Sequence, residues 1–311
     1  MQTYDTLYKS LFDHPAMVED LLREAFAEHP GFVDSIDFGS LRPMPGDMVS
    51  DHYQRRLLDR AWHFEFGDER RFVIAALEFQ STVDPHMALR TLAYSALAVQ
   101  GFVRNTSQRR NATDAYPPVV PIVLYSGQRR WSAALDVAHR FGHVNEALNA
   151  HLPRQRYILV EQSNLCGELQ GTHTLCRALA NLIHGNDAEL AVASIAAVIR
   201  QLGTEHDGLT QLYADIYCSV AKQSGMLAEQ TKEGMTLGQL HNVMLENQKK
   251  MVQGWINEGR EEGREEGMRK GIEQVAEAML NLGHDDKSIL ECTGISETRL
   301  GSLKNRRNAT E

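Results

Sequence analysis

The stretch RAWHFEFGDERRFVIAALEFQ, residues 60–80, decides the fold of this chain. Residues 60–66 alternate between two sets of side chains, which is typical of a strand with two different faces. Gly67 opens a polar turn. Residues 72–77 form a continuous apolar run, which favours a central strand buried on both faces. The stretch therefore predicts a hairpin whose second strand lies inside a sheet.

Helices and further strands surround this hairpin. Apolar spacing predicts a helix over 6–26 that is interrupted near Pro15. Asp84 followed by a proline is a typical helix start, and a long segment rich in Leu, Met and Ala follows it. Residues 119–127 and 157–160 predict two more strands. This order predicts an α/β fold with a mixed sheet flanked by helices and a right-handed parallel crossover.

Changes in composition divide the chain into three regions. We expect an α/β domain over 1–165, a helical region over 166–250 and a tail over 251–311. The tail carries glycine at every fourth position from 259 to 271 and ends in a helix, a turn and a helix. This pattern is typical of a helix-turn-helix. The glycine stripe fits either a solvated linker helix or a homo-oligomer formed through these helices.

Composition excludes several classes of protein. The chain has 311 residues, of which 42% are hydrophobic and 23% charged. No run approaches the ~18 apolar residues of a membrane span, and no secretory signal is expected at the N-terminus. The four cysteines contain no Cys-x-x-Cys pair. This argues against a structural zinc site and a disulfide framework, and it favours a reducing cytoplasm.

The candidate chemistry lies at one end of the hairpin. Asp59 precedes the first strand, whereas Glu78 and Gln80 end the second on one face. Two carboxylates brought together in an apolar setting repel unless a cation or a proton is shared. Oxygen ligands of this kind suit Mg²⁺ or Mn²⁺, and the carbonyl of Phe79 could be a third ligand. The alternative is a solvated carboxylate or a simple ion pair with Arg55, Arg56, Arg60 or Arg90.

Four segments, in this order, resemble the Rpn family of recombination-promoting nucleases and putative transposases (YhgA-like). They are DTLYKSLF at 5–12, DRAWHF at 59–64, LEFQSTVDPHMALRTLAY at 77–94 and PPVVPIVLYSGQRRW at 117–131. The resemblance covers roughly residues 1–165. That family belongs to the PD-(D/E)XK nuclease superfamily, and the order of elements above is compatible with the core of that superfamily.

The resemblance implies a Mg²⁺-dependent DNA endonuclease linked to recombination or mobile elements, with Mn²⁺ or Ca²⁺ as other ions for the site. Asp59 matches the motif aspartate and Glu78 the acidic residue of the (D/E)XK motif. Asp59, Glu78 and the Phe79 carbonyl would hold the metal. Gln80 stands where most of the superfamily has lysine. A neutral amide can orient water but cannot donate positive charge to a transition state.

DNA binding needs local positive charge, although the net charge of the chain is −9. We expect contributions from Arg90, Arg109, Arg110, Arg129 and Arg130. The alternative is that these arginines are ordinary surface residues without a role in DNA binding. The acidic tail is a poor match for DNA, and a protein contact or dimerisation suits it better. A catalytically weak or inactive DNA-binding or regulatory protein that oligomerises through its helical tail remains the alternative function.

Overall fold

A computed structural model describes residues 4–44, 58–106, 115–169, 171, 173–185, 187–203, 208–224 and 234–308. Two compact units are present, Met1–Leu245 and Glu246–Glu311. The elements of the described residues, in chain order, are α1 (Tyr4–Leu11), α2 (Pro15–Ala25), α3 (Pro30–Asp34), β1 (Ile36–Pro43), β2 (Arg60–Phe66), β3 (Arg71–Gln80), α4 (Met87–Thr106), β4 (Val119–Tyr125), α5 (Glu146–Asn149), β5 (Ile158–Glu161), α6 (Leu175–His184), α7 (Ala188–Leu202), α8 (Gly208–Ser224), α9 (Leu237–Asn281), α10 (Asp286–Thr293) and α11 (Glu297–Asn308).

The described residues form a five-stranded mixed sheet in the order β1-β2-β3-β4-β5. Strands β1, β2 and β3 pair antiparallel, whereas β3, β4 and β5 pair parallel. The predicted hairpin is confirmed, and Gly67 adopts a φ of +67° at its turn. The apolar run of β3 is explained by its position between β2 and β4, in the part of the sheet that helices cover on both faces. The predicted α/β class with a mixed sheet is therefore confirmed.

Different helices cover the two faces of the sheet. On one face, Trp62, Leu77 and Phe79 share a core with residues of α1, α2, α6, α7 and α8. On the other face, Ile74 and Ala76 pack against α4. Side chains alternate along β3, so Glu78 points to the α4 face and Phe79 to the opposite face.

Strand β1 was not expected from the sequence. Its residues alternate poorly between buried and exposed positions, and it contains Gly39 and Pro43. Both residue types weaken a strand, but they are tolerated at a sheet edge, where one side of the backbone is unpaired. The edge position of β1 therefore explains why its sequence carries a weak strand signal.

The region predicted as 166–250 contributes helices α6, α7 and α8 to the same core as the sheet. Buried Asp20 on α2 joins the two parts, because its Oδ2 accepts a hydrogen bond of 2.7 Å from the amide of Cys176. That amide lies in the first turn of α6, where backbone donors lack helical partners. Burial raises the pKa of Asp20. Asp20 is thus a cap for α6 supplied from another helix.

Asp20→Ala is expected to lower the free energy of unfolding by roughly 2 kcal/mol, because the Cys176 amide would be left buried without its acceptor. Asp34→Ala, at an exposed position on α3, is the control and should change stability by less than about 0.5 kcal/mol. Urea unfolding followed by circular dichroism would measure both values. Equal stabilities of the two variants would contradict the capping role.

The second unit ends in two helices joined by a turn. Asp285 accepts a hydrogen bond of 3.0 Å from the amide of Ser288 at the start of α10. Gly294 ends α10 with a φ of +68°. Ser296 Oγ then accepts from the amide of Arg299 at 3.3 Å in the first turn of α11. A small apolar core that includes Ile289 holds these helices together. Among the described helices, none has the length and apolar content required to cross a bilayer.

Candidate active site

Asp59 and Glu78 lie opposite each other at one end of the β2–β3 hairpin. The pairing of Arg60 with Leu77 is the last of the ladder, and continuing it by one residue sets Asp59 across from Glu78. Directly opposed residues of an antiparallel pair share a face of the sheet. The predicted convergence of the two carboxylates therefore follows from the observed register.

Asp59 is fixed by the backbone of the neighbouring strand. Its Oδ2 accepts a hydrogen bond of 3.0 Å from the amide of Phe79. In an antiparallel pair, the N–H and C=O of one residue point to the same neighbour. The carbonyl of Phe79 therefore lies on the strand edge that faces Asp59, which is where the sequence placed a third oxygen.

Glu78 is buried, with only 3% of the residue exposed. Its Oε1 accepts hydrogen bonds from Arg90 and, at 2.9 Å, from Gln80 Nε2. Its Oε2 is buried without a hydrogen-bond partner. Burial and the nearby charge of Asp59 raise the pKa of Glu78 to about 7, against the opposing effects of Arg90 and Gln80. Only one of the two carboxylate oxygens of Glu78 therefore has hydrogen-bond partners.

Arg90 lies inside this cluster. Its Nη1 donates to Asp84 Oδ2 at 2.7 Å, and its Nε donates to Tyr94 Oη at 3.2 Å. Asp84 also accepts from the amide of His86 at 2.8 Å, in the turn just before α4, so the helix begins at Met87, three residues after the expected cap. The ion pair between Arg90 and Glu78 is the alternative that the sequence left open for this carboxylate. A contact of Arg90 with DNA stays a prediction.

Lys9 joins the cluster from α1. Its Nζ lies 2.9 Å from Asp59 Oδ1. From the sequence, Lys9 was only a weak candidate that matches the N-terminal motif of the family, and it had no assigned role, because α1 and β2 are far apart in the chain. The signal that could have found it is an isolated cation within DTLYKSLF, next to Tyr8 and close to Phe12, which both face the core.

Two of the remaining predicted arginines, Arg129 and Arg130, lie close to the end of β4. Arg129 and Arg130 follow β4 and line a polar cavity of about 400 Å³ with Glu161 and Asn164. They lie at the end of the sheet where Gln80 ends β3, since the amide of Ser126 after β4 donates to the Gln80 carbonyl at 2.9 Å. Arg55, Arg56, Arg109 and Arg110 lie outside the described residues.

The cluster offers two carboxylates and a backbone carbonyl as oxygen ligands. Within the described ranges, no group of three or more His, Cys, Asp or Glu side chains could hold a metal ion. Any ion bound here would depend on Asp59, Glu78 and backbone or solvent oxygens.

Comparisons with known proteins place the chain in a family. Recombination-promoting nuclease RpnD of Escherichia coli O157:H7 is 25% identical over 126 residues, which are 40% of this chain. The alignment spans 46% of that relative, so less than half of its length is matched. No solved structure matches. Residues 2–210 match the family described as "Putative transposase, YhgA-like". This match extends over more than half of the sequence, and the chain therefore belongs to the YhgA-like transposase family.

Proposed function

We propose that this protein is a metal-dependent DNA endonuclease of PD-(D/E)XK type that hydrolyses phosphodiester bonds during recombination or mobile-element movement. The observation that carries the proposal is the pair Asp59 and Glu78, two carboxylates opposed across a hairpin with one buried oxygen unpartnered. The family and the name of the RpnD relative support the same chemistry.

The residues fit a hard divalent cation such as Mg²⁺ or Mn²⁺, with Ca²⁺ as a further candidate. A buried carboxylate oxygen without a partner is costly, and a cation beside Glu78 Oε2 would remove that cost. Asp59 and the Phe79 carbonyl would complete the protein ligands. When bound, the ion would activate water and stabilise the charge that develops on the phosphate.

The protein residues would position the attacking water. Gln80 lies on the same face as Glu78, and its amide can hold a water molecule by hydrogen bonds. The water oxygen forms a bond to phosphorus as the phosphorus–ester oxygen bond breaks. The proton of the water passes to Glu78 or to solvent, and the leaving oxygen takes a proton from another water.

The test is cleavage of a supercoiled plasmid with Mg²⁺ and with EDTA. We expect nicked and linear products with Mg²⁺ and no cleavage with EDTA. Equal cleavage under both conditions would contradict a metal-dependent mechanism. A protein that binds DNA but cleaves it under neither condition would instead support a DNA-binding role without turnover.

Arg129→Ala and Arg130→Ala are each expected to weaken DNA binding and to lower the slope of log K against log salt by roughly 1, because one phosphate contact is lost. Arg200→Ala is the control, since this exposed residue lies on α7 and that helix packs on the opposite face of the sheet from α4. Fluorescence anisotropy with a labelled duplex at several salt concentrations would measure the slopes. Equal slopes for wild type and both variants would contradict the DNA contact.

A second candidate function is DNA binding or regulation without turnover. The ion pairs of Lys9 with Asp59 and of Arg90 with Glu78 favour it, because they neutralise both acids without a metal. This function predicts salt-sensitive DNA binding without metal-dependent cleavage. Oligomerisation through the tail is part of this candidate. Gly259, Gly263, Gly267 and Gly271 have open space where a Cβ would lie, and sedimentation of the full chain would test self-association.

A further inference from the structure

We infer that Lys9, carried on α1, supplies the positive charge at the reacting phosphate that Gln80 cannot supply. This inference rests on the proposed nuclease function and assigns a catalytic residue to it. The cation would come from a helix on the opposite face of the sheet rather than from the strand that carries Glu78.

The position of Lys9 is the first observation behind the inference. Its Nζ lies 2.9 Å from Asp59 Oδ1, and the two side chains are 26% and 19% exposed. The other oxygen of Asp59 is held by the amide of Phe79 at 3.0 Å. Lys9 therefore meets the carboxylate pair at its more solvent-accessible member, whereas Glu78 is buried. A phosphate approaching from solvent would meet Lys9 at this member of the pair.

Packing of α1 fixes this position. Tyr8 packs edge-to-face against Phe79 and Phe12 packs against it at a tilt, with ring centroids 5.7 and 4.9 Å away. The indole of Trp62 donates to the carbonyl of Phe12 at 3.1 Å. These contacts tie α1 to the two strands that carry the carboxylates. Lys9 is thus carried on a helix whose inner face is packed against the strands of the site.

The neighbouring guanidiniums are engaged in other roles. Arg90 bonds to Glu78, Asp84 and Tyr94. Arg60 bonds to both oxygens of Asp13. These fork-shaped contacts fix a guanidinium in one geometry, whereas an ammonium is a compact charge on a flexible stem. An ammonium such as that of Lys9 can therefore exchange a carboxylate oxygen for a phosphate oxygen more readily than a guanidinium held by several hydrogen bonds.

The inferred role is electrostatic. Lys9 would donate a hydrogen bond to a non-bridging phosphate oxygen, on which negative charge increases as the water oxygen bonds to phosphorus. Lys9 keeps its proton throughout, and the leaving oxygen takes its proton from water. Donors placed where charge develops contribute more to the transition state than to the bound substrate. The effect should therefore fall mainly on kcat.

The test compares wild type with Lys9→Met, Lys9→Arg and the double variant Lys9→Met/Gln80→Lys. Lys9→Met is expected to lower kcat about 100-fold and to change KM by less than about 3-fold, because uniform binding is retained. Lys9→Arg should keep most of the activity. The double variant should recover at least about 10-fold in kcat, since Gln80 already reaches Glu78 Oε1. Arg23→Met, which removes a cation paired with Glu19 on α2, is the control and should retain wild-type kcat.

A second readout separates this role from metal binding. Titration calorimetry with Mn²⁺ alone should show that Lys9→Met binds the ion as tightly as wild type or more tightly, because a competing cation at Asp59 is gone. Unchanged kcat in Lys9→Met, absence of rescue by Gln80→Lys, or a parallel loss of Mn²⁺ affinity would each overturn the inference. Inactive wild type that binds Mn²⁺ through Asp59 would instead overturn the proposed nuclease function.

Discussion

Asp59→Asn is expected to lower the rate of Mg²⁺-dependent plasmid cleavage about 1000-fold or more. A bound metal contributes several kcal/mol to the transition state, and each 1.36 kcal/mol corresponds to a tenfold change in rate. Asparagine keeps an oxygen that can accept from the Phe79 amide, so the local backbone should be preserved. It lacks the negative charge that a hard divalent ion requires from its ligands. The loss should therefore be catalytic rather than structural.

Asp13→Asn is the matched control for this prediction. Asp13 pairs with Arg60 at the same end of β2, with Arg60 Nη2 at 2.9 Å from Asp13 Oδ2. The Asp13→Asn variant thus loses a comparable ion pair, while Asp59 and Glu78 are unchanged. Initial nicking rates and melting temperatures of both variants should be measured together. Retention of wild-type activity by Asp59→Asn, or equal losses in the two variants, would remove Asp59 from the mechanism.

Glu78→Gln is expected to change how stability depends on pH. In the folded protein, burial and Asp59 raise the pKa of Glu78 from 4.5 to about 7. The protonated form is therefore favoured by folding, so its stabilisation is complete below pH 4.5 and is lost as pH rises through about 7. A shift of this size corresponds to roughly 3 kcal/mol at most. Glutamine is neutral at every pH, so the Glu78→Gln variant does not lose this stability as the pH rises.

The unfolding free energies of wild type and Glu78→Gln should be compared in EDTA between pH 4.5 and 8. The difference between the variant and wild type should increase with pH in favour of the variant, because groups that do not interact with Glu78 titrate alike in the two proteins. Added Mn²⁺ should reverse the trend by stabilising ionised Glu78 in wild type alone. Parallel pH profiles in EDTA would show that Glu78 is ionised in the folded state throughout this range.

Several structural features followed from local sequence. The apolar run of β3 and the turn at Gly67 each depend on residues close together in the chain, and each lies where it was expected. The helix expected from Asp84 begins three residues later, at Met87. The pairing of Asp59 with Glu78 followed as well, since a hairpin with a short turn has one natural register. Strand β1 was missed because an edge strand tolerates residues that weaken the signal.

The side chains that pair with Asp59 and Glu78 could not be predicted from local sequence. Lys9 reaches Asp59 from a helix on one face of the sheet, and Arg90 reaches Glu78 from a helix on the other. Their approach depends on how α1 and α4 pack, through contacts such as Phe12 against Phe79. Packing of this kind joins residues of distant segments, so no local pattern encodes it.

The sequence alone determined the hairpin, the buried central strand and the residue types at the candidate site. These features rest on alternation, turn chemistry and apolar runs, which act over a few neighbouring residues. Only the tertiary structure decided that Glu78 would be buried with one oxygen unpartnered, and that Lys9 and Arg90 would neutralise the pair. Burial and charge pairing depend on everything packed around a side chain, and that environment exists only once the helices have closed over the sheet.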